Sequence, residues 1–320
     1  MDVIPRKLQR LGLSSLVVTL PHRWVKAHNL KPGDLVYVID EGDRLRIFPA
    51  RGESRHTGYV FEAHKLGIPQ LAQMALTCLY VNNFNEVDID FRGMGQETLQ
   101  RMKQAAVRLL GLELVQVDAE RATMRVVLDD AKADPKLAVK GLGSAVANIA
   151  ELIRRASSGD EVTDEEVDLA MTDLMRYQHL IMRYVIGSIA EGLVDPKAQS
   201  VMIGTAVLGV VGNTLMEALK LLRSWSLKSN GIAQVASQLK DLTPVVGAMV
   251  AQPSVKRLHE VSFSAIALSM MIESMLKSAS DPRETAVLSK IDDAVKSLLI
   301  TFTAVLCSAI LGEEFLHPSQ

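Results

Sequence analysis

The side chains able to do chemistry are few and scattered. Asp164 and Asp168 form an Asp-x-x-x-Asp pair with Glu165 and Glu166 between them. Carboxylates four apart share a helix face and can hold a metal ion, but acids gathered at a helix start also suit the positive end of its dipole. The other candidate helices offer no matching acid pair, so the structural role is expected and a metal is not. His179, His259 and His317 stand alone, with no HExxH or other paired spacing, and read as satisfied or solvated histidines. Cys78 and Cys307 each sit in an apolar run without a CxxC partner. Both are expected to be small core residues in a reducing, cytoplasmic setting. Met171, Met175, Met182, Met270, Met271 and Met275 read as core filling. Gly141-Leu142-Gly143-Ser144 lacks the lysine of a phosphate loop, and no Gly-x-Ser-x-Gly elbow is present. The reading is therefore no enzyme and no cofactor.

Charge is distributed unevenly. Residues 1–60 carry ten Lys/Arg against six Asp/Glu, although the 320-residue chain as a whole is at −2. A basic head on a mildly acidic body suits an anionic partner. Hydrophobic residues at 48% and charged residues at 22% give a globular composition, and aromatics at only 4% suit a helical bundle. Residues 1–10 are charged and lead into a strand pattern, so no signal peptide is expected. The uncharged stretch 297–312 is shorter than the roughly 20 residues of a membrane span and contains Ser297, Thr301, Thr303 and Ser308. It reads as a buried bundle helix.

The elements that must position these residues fall into three stretches. Residues 4–50 read as short strands around one helix. Residues 16–20 are β-prone, Pro21 can open a helix over 21–27, and Asn29 closes it. Lys31-Pro32-Gly33-Asp34 is a turn, with Pro setting φ and Gly supplying positive φ. Leu35, Tyr37 and Ile39 alternate with Val36, Val38 and Asp40, so this strand is apolar on nearly both faces; residues 41–43 turn the chain into a returning strand through Leu45, Ile47 and Pro49. Trp24 reads as a packing anchor, with base stacking as the lesser alternative. Fewer than 50 residues of this kind cannot bury a core alone, so dimerisation is the physical expectation.

Residues 51–57 look like a linker. Residues 57–130 then read β-α-β-α-β-β, a small α+β module with helical spacing at Leu71, Met74, Ala75 and Leu79 and an amphipathic helix with Leu99, Met102, Ala106 and Leu110, capped by Gly111. Residues 135–316 show helical periodicity alone, in six candidate helices over 136–157, 164–190, 197–227, 230–250, 254–278 and 283–313. Thr163-x-x-Glu166 is a capping box, and Ser229-Asn230-Gly231 ends the third helix. Six such helices make two three-helix bundles or one larger bundle.

Leu20-Pro21-x-x-Trp24, then residues 30–34 (Leu-Lys-Pro-Gly-Asp) with Val36, and later Leu45-x-Ile47, resemble the SpoVT/AbrB/MazE swapped-hairpin DNA-binding family. The resemblance implies that residues 1–50 form an interlocked dimer that grips DNA with basic residues, which fall here near Arg6, Lys7, Arg10, Arg23 and Lys26. The whole chain is similar to archaeal proteins that join this head to a PhoU-like helical region, a phosphate-uptake-regulator group, and residues 106–113 look like their helix-to-strand junction. PhoU-like domains hold iron or zinc on paired carboxylates, but no Asp or Glu occurs over residues 199–216, where Gly209, Val210, Asn213 and Thr214 stand instead. No metal is expected on this count either.

The expected fold class is α+β, a swapped-hairpin head, a small α+β middle module and an all-α PhoU-like bundle. The expected function is a cytoplasmic, dimeric DNA-binding regulator or architectural DNA binder. The alternative is a PhoU-like adaptor whose body contacts a transporter or kinase while the head only dimerises. An antitoxin role, which such heads serve in short proteins, fits poorly with a 180-residue helical body.

Overall fold

The computed structural model describes residues 4–12, 15–40, 45–49, 58–128, 134–190 and 196–309. The linker at 51–57, the turn at 41–43, His317 and the last helix beyond 309 lie outside them. The chain divides into two compact units, Met1–Ser54 and Arg55–Gln320.

The first unit holds two antiparallel ribbons, β1 (Gln9–Leu11) with β2 (Ser15–Val17) and β3 (Val36–Asp40) with β4 (Leu45–Pro49), and a short helix α1 (His22–Ala27) between them.

The second unit opens with a four-stranded sheet formed by β5 (Tyr59–Glu62), β6 (Glu86–Asp90), β7 (Leu112–Val115) and β8 (Arg121–Val126), in the order β5-β6-β8-β7. β5 runs parallel to β6, as a crossover through a helix requires, and β8 lies antiparallel between β6 and β7. Helices α2 (Pro69–Val81) and α3 (Gly95–Val107) close its core around Leu76, Tyr80, Ile89, Phe91, Met102 and Met124.

Six long helices follow: α4 (Pro135–Ser158), α5 (Asp164–Ala190), α6 (Pro196–Ser224), α7 (Asn230–Ala251), α8 (Val255–Ser278) and α9 (Pro282–Ala309). One continuous apolar cluster runs through all six, so they form a single bundle rather than two. α4 and α7 make its tightest crossing, where a Cβ on Gly143 would stand 2.7 Å from the Thr243 carbonyl oxygen. The helix long and apolar enough to cross a membrane, among the described residues, is Val201–Ser224 in α6 rather than the stretch at 297–312; half of its most apolar window is buried in the bundle.

Several local expectations meet a different outcome. α2 buries Ala72, Leu76 and Tyr80, whereas Leu71 and Met74 face out. The helix is apolar nearly all round, so its composition does not select a face. Cys78 lies on the outward side of the same helix and is exposed, not a core residue. α3 stops at Val107 with Arg108 as its C-cap, and Gly111, at φ +70, turns the chain into β7 instead. Ser229 does not end α6; it caps α7, its hydroxyl accepting from the Ile232 N–H at 3.2 Å. Met270 and Met182 are exposed, while Met171, Met271 and Met275 pack against the core.

Candidate nucleic-acid interface

In the head, each local turn follows from its residues. Pro21 precedes α1, and Asn29, at φ +50, ends it. The Leu30 N–H donates to the Val25 carbonyl at 3.0 Å and the Asn29 N–H to the Lys26 carbonyl at 3.1 Å. That pair of bonds is a Schellman motif, with Asn taking the left-handed position that Gly more often fills. At the next turn the Asp34 N–H donates to the Lys31 carbonyl at 3.0 Å, and the Asp34 carboxylate accepts from the Lys31 N–H at 2.7 Å. Gly33 at φ +97 supplies the positive φ that a type II turn needs in its third position.

The basic residues sit on these elements. Arg6 and Lys7 lie before β1, and Arg10 lies on β1 opposite Leu16; all three are exposed. Arg23 and Lys26 are one helical turn apart on α1 and are also exposed. The chain therefore strings one group along a strand and clusters the other on a helix. Trp24 is half-buried, its ring 4.9 Å from that of His28 at a 59° tilt.

Among the head residues whose exposure is described, Pro49 alone is buried, and no interior forms among them. Leu8, Leu11, Leu16, Leu35, Tyr37, Val38 and Leu45 are all more than half exposed. No such surface persists on a chain folding alone, since each large apolar side chain left in water forgoes about 1.5–3 kcal/mol.

The body offers a second polar concavity that the sequence reading did not single out. A cleft of about 550 Å³ opens on the sheet, lined among others by Glu62, Asp88, Asp90, Arg92, Asp118 and Arg121. Its charges are engaged locally. Arg92 clasps Asp90 through Nε at 3.1 and 3.0 Å and holds that carboxyl below the usual range, and Asp88 accepts from the Thr123 hydroxyl at 2.7 Å. The Asp118 carboxylate accepts the Glu120 and Arg121 N–H groups, which lowers its pKa in the same sense. The alternation of acids along β6 was the signal available. Asp164, one of the paired acids, bonds Arg223 at 2.7 Å. Among the described residues no three His, Cys, Asp or Glu side chains gather as a metal site.

Residues 9–55 match the family described as antidote-toxin recognition MazE, bacterial antitoxin. The similarity is to the head alone. Arg10, Arg23 and Lys26 fall inside the matched segment, and Arg6 and Lys7 precede it. No curated protein matches the chain, and no solved structure does.

Proposed function

We propose that this chain is a DNA-binding regulator that works as a dimer, its two heads interlocking to present Arg6, Lys7, Arg10, Arg23 and Lys26 to the phosphate backbone. The observation that carries the reading is a basic head with exposed apolar strands and no core among its described residues, in a segment similar to the MazE family. A second copy would cover Leu35, Tyr37 and Val38 and bring the strand cations and the helix cations of both chains to one surface. Arg and Lys neutralise phosphates and release counterions, and Arg can also bridge guanine edges. The large helical body favours a regulator over a short antitoxin, with the body serving assembly or sensing.

The test is titration of labelled duplex DNA across a salt series. If about half of the ten cations of a dimer meet phosphates, log K falls against log salt with a slope of about −4 to −5. Charge reversal at Arg10, Arg23 and Lys26 should abolish binding and leave sedimentation unchanged. Intact binding in that variant, or no binding by the unaltered chain at low salt, would overturn the reading and leave the head as a dimerisation device.

A further inference from the structure

The outward face of α8 is unusual for a bundle helix. No charged residue occurs between Val261 and Ile272. Phe263 is 64% exposed, Ile266 48% and Met270 66%. With His259 they follow one another at intervals of four, three and four residues, which is the a/d seam of a heptad repeat turned toward solvent. The His259 ring stands edge-on to Phe263 at 4.8 Å, and a shallow groove of about 240 Å³ runs beside them, lined by Val255, Leu258 and Ser262 as well. Lys256 and Glu273 close the seam at its two ends, and both are exposed.

We propose that this seam is the contact between the bodies of two copies, α8 packing antiparallel against the partner's α8 about a two-fold axis. The inference rests on the dimer reading of the head, which places two bodies in one particle. Self-complementarity is what selects a second copy over a foreign helix. In an antiparallel coiled coil each a position faces a d position. The register that sets Phe263 opposite the partner's Ile266 also sets His259 opposite the partner's Met270. It then sets Lys256 opposite the partner's Glu273. All three pairings occur twice by symmetry. Sliding by one heptad in one direction faces Phe263 with the partner's Glu273, and in the other faces Lys256 with the partner's Ile266. Only the first register keeps apolar on apolar and opposite charges at both ends. Glu273 is free to take part, its contact within the chain being Lys296 at 3.7 Å.

The seam from Lys256 to Glu273 is about 25 Å long. Three large side chains per copy fall short of the roughly 800 Å² per partner of a free-standing interface. Tethering through the heads raises the effective concentration to the millimolar range, where a weak seam closes.

The test uses the full chain with Cys78 and Cys307 replaced by Ser. Ala267→Cys places a thiol beside the seam, and Lys103→Cys, at an exposed position on α3, is the control. A flexible bis-maleimide should join two Ala267→Cys chains several-fold more efficiently than two control chains. Phe263→Glu and Lys256→Glu should each remove the excess, and adding Glu273→Lys to Lys256→Glu should restore it. If sedimentation shows a dimer but Ala267→Cys links no better than the control, or charge exchange fails to restore linking, the seam is refuted while the head reading stands. A monomeric chain would overturn both.

Discussion

Arg183 is the side chain the structure treats most unexpectedly. It lies on α5, fully buried. Its guanidinium donates to the Tyr80 carbonyl at 2.7 Å and to the Asn85 side chain, and stands 5.1 Å from the Tyr80 ring centre. Tyr80 is in the last turn of α2, where unsatisfied carbonyls and the negative end of the dipole receive a cation. Two turns earlier Arg176 likewise meets the Val107 carbonyl at 2.7 Å at the end of α3, and one turn earlier a ring nitrogen of His179 lies 3.3 Å from the Arg108 carbonyl. Nothing local in the sequence announces these contacts, because the acceptors lie 69 to 103 residues upstream. Arg183→Ala should cost about 3 kcal/mol in urea unfolding by leaving those acceptors buried and unpaired, and Arg183→Lys should not rescue it. Burial of His179 holds its pKa below 6.5, so the unfolded chain binds more protons and stability declines as pH falls below that value. Glu151 has the opposite origin and the same consequence lower on the scale. Arg154 first, then Lys240, bring it from 4.5 to about 2, so its contribution is whole above 4.5 and disappears toward 2. Unfolding midpoints measured against pH should lose their upper slope in His179→Gln and part of their lower slope in Glu151→Gln, the latter also costing about 0.5–1 kcal/mol at neutral pH.

At the scale of elements, what was legible depended on how local the cause is. The Lys31–Asp34 turn and the Thr163–Glu166 capping box were readable because both partners lie within four residues. In the box the Thr163 N–H donates to the Glu166 carboxylate at 2.9 Å and the Glu166 N–H to the Thr163 hydroxyl at 3.2 Å. The six bundle helices were readable to within a few residues for the same reason, by periodicity and breakers such as Asp281-Pro282. The buried face of α2 was not, since only the packing of Leu76 and Tyr80 against the sheet distinguishes it from the Leu71–Met74 side. The α4–α7 crossing was also hidden, because Gly143 and Gly247 acquire meaning only when opposed. A Cβ on Gly247 would stand 3.0 Å from the Gly143 Cα and 3.1 Å from the Val139 carbonyl, both backbone atoms. Gly143→Ala or Gly247→Ala should therefore cost about 1–3 kcal/mol by thermal or urea unfolding. Gly231→Ala meets only the mobile tip of Met275 and should be neutral or stabilising by about 0.5 kcal/mol.

At the scale of the whole molecule, the two units differ in what makes them stable. The body has two buried cores within one chain, and the described residues of the head form none. Amide exchange in β3 should slow as protein concentration rises, since pairing of chains supplies its protection, while amides of α4 should be indifferent. Equal behaviour of the two elements would contradict dimerisation through the head. The body's helical character was legible from composition and period, and the exposed apolar strand of the head from its two-sided apolar pattern. The basic residues were named by resemblance, and on the proposed reading a second copy completes their surface.

A head that pairs with its twin as proposed has a genetic consequence. A chain that completes itself only by meeting its twin shares every defect it carries. In a cell making both intact chains and chains with the basic residues reversed, most pairings of an intact chain would be with a damaged one once damaged chains predominate. On the proposed reading each mixed pair would fold normally yet set the acids of one head against the cations of the other. Such alleles would behave as dominant, whereas a truncation lacking β3 and β4 would drop out of the partnership and leave the intact copies to one another.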